Sequence, residues 1–517
     1  METKPQEEKQ IPLWLMSLIV TMPTFFAFLA TSATNVALPH IAGSFGSTND
    51  EAKWVVTSYM IANGIFLPLT GWLERRLGRL DFLKIFISLF TIGSIICALA
   101  PNLLILILGR LVQGVGGGVL MPLSQSILLQ EYPRDRKGDA MAVFIFAIMV
   151  SSIMGPTVGG YLVEYFSWQW IFIINVPIGI LSLILIPLVI RDTQKQRKKE
   201  KTDIIGFTFL VLWLFSMQVV LDKGQQYGWF DCDWICWLSL FSLGCMMFFA
   251  VWELETNEPI VNLRVFKDLN FVVGTILGAL INIMSCVTII LLPQFYQGLM
   301  GYTASLTGLV LASRVIACFA LVFIGKLCQT YDLKLLIAIG FLSIGSSIAI
   351  CTNLNLQVAP GTIFISNVLF GIGTVFTLVP ISALALGTLP KDKIADAAGV
   401  HSLSKCVTGS MFTSLASSFA IRLAQVHQTY LVKNMSINNP IFIKHFMALK
   451  HVFMTNHASI TANKQANIIL YKQLIVQSRL FAFTDIFQFA MTVTFLAIPL
   501  IFLLKVSSDA KAQKSKS

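Results

Sequence analysis

The stretch LLILILGRLVQGVGGGVLMPLSQSIL, residues 103–128, decides the fold. It is long enough to cross a hydrocarbon layer of about 30 Å as a helix. Its one charged residue is Arg110. In a surface loop the run GRLVQGVGGG (109–118) would read as a phosphate cradle. Inside an apolar stretch its glycines are instead small surfaces on which neighbouring helices pack closely. An arginine at that depth is costly, and such groups usually line a substrate or ion path.

Working outward, similar stretches recur at 13–36, 53–73, 82–100, 140–163, 168–190, 204–221, 234–252, 270–293, 304–325, 333–351, 361–386, 396–421 and 486–504. With 103–128 they make fourteen. The composition agrees: 56% of residues are hydrophobic and 12% charged, against roughly 25% charged in a soluble domain. The chain therefore reads as an all-α polytopic membrane protein. The middles of the spans hold three cations, Arg110, Arg314 and Lys405, and no Asp or Glu.

Most Lys and Arg fall in alternate inter-span segments, and the short segments between those are nearly free of them. The positive-inside rule then places both termini in the cytoplasm. The run RDTQKQRKKEK (191–201) becomes an inner linker facing anionic lipid. The net charge of +11 is thus no sign of a nucleic-acid partner. METKPQEEKQ at the start lacks the basic region and cleavage site of a signal peptide, so the first span is expected to stay. The nine cysteines show no CxxC and read as small buried hydrophobes. Cys232 and Cys236, near the outer face, are placed for a disulfide. No spacing suits a metal, and no cofactor is expected.

Six spans end near Arg191, two follow, and six more complete the chain. This predicts a unit over 1–191, a linker with two inserted helices over 192–268, and a second unit over 269–517. A trace of repetition supports it: GWLERRLGRLDFLK (71–84) follows the second span, and GKLCQTYDLKLL (325–336) follows the tenth. Transporters built from repeats place their site at the repeat interface. The segment 425–478 reads as a long outer loop and a surface for a partner protein. Within it, ASITANKQANIILYKQLIVQ predicts a short amphipathic helix.

The fifth span carries GPTVGG, Gly155 to Gly160. Pro156 removes a backbone donor, while Gly155, Gly159 and Gly160 offer a small-residue face. LATSATNVALP (29–39), WVVTSYMIAN (54–63), RLVQG, WIFIINVPIG (170–179), LDKG and GYTASLTGLVLASR (301–314) stand in order around it. Together these resemble the major facilitator superfamily, and more closely the 14-span drug:proton antiporters of the EmrB/QacA type, on the EmrB side. The resemblance implies the major facilitator fold, two six-helix bundles plus a two-helix insertion. It also implies a small-molecule substrate, protons as coupling ion, and an EmrA-like periplasmic adaptor with an outer-membrane channel where the cell has two membranes.

The resemblance further assigns an inner-loop latch at Gly71, Glu74, Arg75, Gly78 and Arg79. An Asp common at the Arg75 position is absent. It assigns proton coupling to Arg110, with Gln113 one turn on. As a packing group, Arg110 would instead bond carbonyls of span one. Arg314 matches an Arg of many relatives, and Lys405 stands where EmrB-like members have Arg. His401 lies one turn before Lys405, and histidine is the side chain most apt to titrate near neutral pH. Asp222 and Asp485 sit at outer rims, within reach of a vestibule. In span one the relatives carry LDTTIANVALP-type sequences, and their Asp is replaced here by Ala30. Thr31, Ser32, Thr34 and Asn35 leave a polar, uncharged turn as the cavity wall.

These features predict a proton-driven exporter that favours anionic or neutral amphipaths over cations. The alternative is a dedicated exporter of one metabolite, such as a siderophore or fatty acid. GPTVGG resembles antiporter types and argues against an importer. No nucleophile constellation or nucleotide loop points to an enzyme.

Overall fold

A computed structural model describes residues 12–504 apart from 134–135, 191–202, 225–226, 258, 303, 318–319, 321–322, 325–326, 329, 388, 391–392, 437–438 and 455–458. The basic run 191–201 lies outside the described residues. Those described form helices and turns, with no strand among them. The first part of the chain builds α1 (Leu13–Phe45), α2 (Asn49–Ala52), α3 (Trp54–Phe66), α4 (Thr70–Leu77), α5 (Arg79–Ala98), α6 (Leu103–Glu131), α7 (Lys137–Tyr165), α8 (Trp170–Ile173) and α9 (Asn175–Val189). A hairpin follows, α10 (Ile204–Gly224) and α11 (Asp233–Glu255). The remainder is α12 (Leu269–Gly298), α13 (Ala304–Ala312), α14 (Leu333–Thr352), α15 (Pro360–Gly387), α16 (Ile394–Val432), α17 (Pro440–Met454) and α18 (Ser459–Leu496).

The glycines of 103–128 do what an apolar setting demands. A Cβ on Gly116 would stand 2.4 Å from the Phe90 nitrogen of α5. On Gly114 it would stand 2.6 Å from the Tyr59 carbonyl oxygen of α3, and on Gly118 2.7 Å from that of Asn63. α6 is therefore wedged between two backbones, an approach that small residues alone permit.

Eleven helical segments among the described residues are long and apolar enough to cross a membrane. The other three expected spans are helical but not single apolar rods. The span 53–73 breaks at Leu67–Leu69, a 3-10 turn built on Pro68. The span 304–325 tightens into a 3-10 turn at Ser313–Ala317. α16 carries Asp396, His401 and Lys405 in its first part. The expected fourteen thus stand at eleven by length and composition.

The two parts of the chain share a register. α5 and α14 have 20 residues each, and α6 and α15 have 29 and 28. The pairs α1–α7 and α12–α16 are among the closest-packed in the molecule.

The expected long outer loop is corrected. α16 runs on to Val432, α17 occupies 440–454, and α18 begins at Ser459. The short amphipathic helix expected in 458–477 is instead the first half of α18. Its buried Ala462, Ala466, Leu470 and Leu474 recur every four residues, a stripe that keeps the helix continuous and packed. α18 lies against α16 and α17.

Candidate functional site

The latch residues gather at one end of the bundle. Gly78 turns the chain between α4 and α5 with φ +79°, a region where glycine carries no steric penalty. Arg79 Nε donates to Glu74 Oε1 at 3.1 Å, its Nη1 to Glu131 Oε1 at 3.0 Å, and its Nη2 to Gln130. Burial pushes the Glu74 carboxyl above the ordinary carboxylate range, and Arg79 pulls it back. Arg75, which stands where an acid was expected, reaches across to the other half. Its Nη1 lies 2.5 Å from Asp396 Oδ1 near the start of α16. Asn262 Nδ2 donates to the second Asp396 oxygen at 3.3 Å. A Cβ on Gly71 would fall 1.6 Å from Asp396 Oδ1, so only glycine admits this acid. The acid missing from the loop is supplied from the partner half of the chain.

Sequence reading did not single out Asp396. A signal was present: it is the third residue of α16, as Asp139 is the third of α7. Asp139 accepts from Arg136 at 3.2 Å. It also lies near enough to Cys328 to help burial push that thiol up to about 12. Beside the latch, Lys137 Nζ donates to the Gly387 carbonyl at 3.5 Å, and a Cβ on Gly399 would stand 2.9 Å from the Leu67 oxygen. The halves are thus joined at this end.

Arg110 is wholly buried. Its Nε donates to the Val55 carbonyl at 2.9 Å and its Nη1 to Gln113 Oε1 at 2.6 Å. Gln113 Nε2 donates in turn to Ser94 Oγ at 2.7 Å. The guanidinium lies 4.2 Å from the centre of the Tyr59 ring and 5.8 Å from that of Phe172. Its backbone partner therefore belongs to the second span, where the first was expected. Nη2 has no hydrogen-bond partner among the described residues.

The second part of the chain builds a related group with the cation moved. Asn367 is the eighth residue of α15, as Arg110 is of α6. Arg314 arrives from the 3-10 turn after α13, donates to Asn367 Oδ1 at 2.9 Å and lies 4.4 Å from the Phe370 ring centre. In α6 the cation is on the long helix and the aromatic on its neighbour; here the two are exchanged.

His401 and Lys405 sit where α16 crosses α12. His401 Nδ1 lies 3.2 Å from Thr275 Oγ1, and its Nε2 is buried with no partner among the described residues. Lys405 is half-buried. Its carbonyl accepts from Asn282 Nδ2 at 2.7 Å. A Cβ on Gly278 would stand 2.9 Å from His401 Cε1 and 3.4 Å from Lys405 Cε.

The expected cavity wall on α1 divides. Ala30 and Thr34 are buried, with the Thr34 hydroxyl turned back to the Ala30 carbonyl at 2.6 Å. Thr31 is half-buried and bonded to the Ala27 carbonyl at 2.8 Å, whereas Asn35 is exposed.

GPTVGG acts mainly through α1. A Cβ on Gly155 would meet Ser32 Cβ at 2.4 Å, and one on Gly159 the Ala33 Cα at 2.8 Å. Gly160 was expected on the same face, but nothing lies within 4 Å of its Cβ position. Pro156 cannot donate to the Ser152 carbonyl one turn earlier. Ser32 Oγ donates to that oxygen instead, at 3.0 Å.

The rim acids part company. Asp222 lies in α10, and its side chain is outside the described residues. Asp485 does not open a span. It sits well inside α18 and pairs with His427 Nε2 at 2.7 Å, tying α18 to α16. Cys232 and Cys236 are both free, as are the other described cysteines.

A family model described as Major Facilitator Superfamily matches residues 21–413. The chain is 30% identical to the multidrug export protein EmrB of Escherichia coli (strain K12), over 98% of this chain and 97% of that one. It is 31% identical to the fatty acid resistance protein FarB of Neisseria gonorrhoeae, over 81% and 83%. Among solved structures, the human organic anion transporter MFSD10 (TETRAN) superposes with a TM-score of 0.57 at 12% identity, over 79% of this chain and 94% of that one.

Proposed function

The chain belongs to the major facilitator superfamily and is a multi-pass membrane transporter, not an enzyme, and from that premise we propose that it exports amphipathic small molecules against a proton gradient, favouring anionic and neutral ones over cations. The observation that carries the substrate preference is the charge of the interior. Arg110, Arg314 and Lys405 stand at depth, while Ala30 occupies the place of the span-one acid. Of the buried acids among the described residues, Glu74 and Asp396 are spent in ion pairs at the latch, and Glu253 accepts from the Val261 N–H at the far end of α11, away from the three cations in sequence. Uncompensated buried cations attract an anion and repel a cation. A relative named for resistance to fatty acids points the same way.

The proposal extends to the frame. In this reading the chain has fourteen spans, in units 1–191, 192–268 and 269–517, and the Lys and Arg distribution supports cytoplasmic termini in the cell membrane. In a two-membraned cell that is the inner membrane, and an adaptor of the EmrA kind and an outer-membrane channel complete the route. For coupling, Arg110 holds α6 to α3 through the Val55 carbonyl. Loss or gain of a proton nearby, or arrival of a substrate carboxylate, redistributes those bonds and frees α3 to move with the latch.

The test is transport by purified protein in liposomes with an imposed pH gradient, using dodecanoate, dodecanol and a lipophilic cationic dye. Gradient-driven movement of the first two and little of the dye is expected. Export of the dye without either of the others would overturn the preference.

A further inference from the structure

Of the three interior cations, two are already engaged. Arg110 is fully buried, bonded on Nε and Nη1 and stacked on Tyr59. Arg314 is bonded to Asn367 and lies against Phe370. Lys405 differs: it is half-buried, and among the described residues its ammonium has no hydrogen-bond or ion-pair partner. Beside it, His401 Nε2 is buried and also without a partner among them. Two polar groups left open on one helix turn are costly in a low-dielectric interior unless something completes them.

The place is right for a ligand. Lys405 lies eleven residues into α16, about 16 Å along the helix from the latch end. That distance is about half of a 30 Å hydrocarbon layer, and transporters of repeat design bind substrate near the midplane. It also borders the seam between the halves. The next residue, Cys406, has its sulfur 3.7 Å from where a Cβ on Gly64 of α3 would stand. Gly278 supplies the room, since its bare backbone is what the His401 ring and the Lys405 stem lie against.

We propose that Lys405 and His401 form the headgroup site for a carboxylate-bearing amphipath, the ammonium supplying charge and His401 Nε2–H a second hydrogen bond. The Thr275–His401 contact admits either tautomer; in the proposed site the hydroxyl donates to Nδ1 and the ring proton sits on Nε2. Gly278 and Asn282 hold the two helices at the separation the pair needs. The inference rests on the export of anionic amphipaths proposed above and gives it a location.

Equilibrium binding to the full-length protein in lipid nanodiscs tests it without relying on transport. The probes are dodecanoate and dodecanol, which share a chain and differ in the headgroup. Lys405→Met is expected to weaken dodecanoate about tenfold or more, the scale of one charge-assisted bond, and to leave dodecanol within about twofold. Lys405→Arg keeps most of the dodecanoate affinity, and His401→Gln, whose amide can still donate, lowers it less than Lys405→Met does. Unchanged dodecanoate binding in Lys405→Met, or equal losses for both probes, would overturn the site. If the wild type exports dodecanol on a gradient yet binds no dodecanoate, the site falls and the exporter stands. If dodecanoate binds through Lys405 but no gradient moves it, the exporter falls and the site stands.

Discussion

α1 meets α7 and α12 meets α16, and in both joints a glycine brings the partner helix close. What comes close differs. At α7 it is small and uncharged: Gly159 faces the Ala33 Cα, and Gly155 faces Ser32. At α12 it is a pair of ionisable side chains, His401 and Lys405, over Gly278. One joint is a zipped seam, and the other holds the only interior cation without a partner among the described residues. Interior charge therefore cannot be read as a count. Arg110 is held by acceptors on Nε and Nη1, whereas no acceptor among the described residues holds the Lys405 ammonium.

The largest effect that sharpens this contrast is at Arg110. Arg110→Ala leaves the Val55 carbonyl and Gln113 without their donor and a hole beside Tyr59. Gradient-driven efflux is expected to fall about 100-fold or more, since truncating one partner of a buried charged group costs roughly 3–5 kcal/mol. Arg110→Lys restores charge but not the two-pronged donation, and it should stay inactive. Proteoliposome flux, with insertion checked by gel filtration, decides. Recovery by Lys would mean that the charge alone matters and that the two-pronged hold on Val55 and Gln113 does not.

Next in size is a matched pair of glycine substitutions. Gly278→Ala puts a methyl 2.9 Å from His401 Cε1, and that ring has room only if the pair shifts. Dodecanoate affinity should drop about fivefold, a loss of about 1 kcal/mol, with little change in melting temperature. Gly159→Ala meets backbone at 2.8 Å and has no flexible neighbour to displace. Overpacking there should cost about 1–3 kcal/mol of stability and leave the headgroup preference intact. Equal behaviour of the two variants in binding and melting assays would erase the distinction between the joints.

The helices were legible in the sequence because apolar length is a strong, local signal. The breaks were not: LPL at 67–69 sits inside an apolar run, and its Pro68, packed against α16, turns it into a 3-10 corner. The cations Arg110, Arg314 and Lys405 were legible as residues at depth. Their partners were not, because hydrogen bonds such as Arg110 to Val55 join positions 55 residues apart. Asp396 was passed over for the same reason, its partner Arg75 being 321 residues away. The segment 425–478 was misread as a loop because polar residues interrupt its apolar stripe. Helix packing tolerates such interruption when one face stays buried, as Ala462 to Leu474 show.

A third glycine, at the latch, extends the comparison to the seam between halves. Gly71 admits the Asp396 carboxylate, and Arg75 then pairs with it. The Arg75 side chain is 26% exposed, so the pair contributes about 1 kcal/mol and Arg75→Ala should shift the access equilibrium about fivefold. Gly71→Ala is the stronger lever, because its methyl would overlap the acid and force α4 from α16. Spin-label distances between α4 and α16 should lengthen in both variants, more in Gly71→Ala. An unaltered distribution in Gly71→Ala would show that this contact does not hold the end shut.

The smallest effect tests why the α1–α7 seam tolerates a proline at all. Pro156 leaves the Ser152 carbonyl without its helical donor, and Ser32 Oγ fills the gap from the neighbouring helix. Ser32→Ala should therefore cost about 1 kcal/mol, read as a drop of a few degrees in melting temperature. In a Pro156→Ala background the helix supplies its own N–H to Ser152, and the same Ser32→Ala change should cost close to nothing. The difference between the two backgrounds is the coupling between α1 and the proline, free of the volume lost at Ser32, which is common to both. A cost that is the same in both backgrounds would mean that Ser32 only fills space against Gly155. The seam would then be held by shape alone, and the proline's missing bond would be met in some other way.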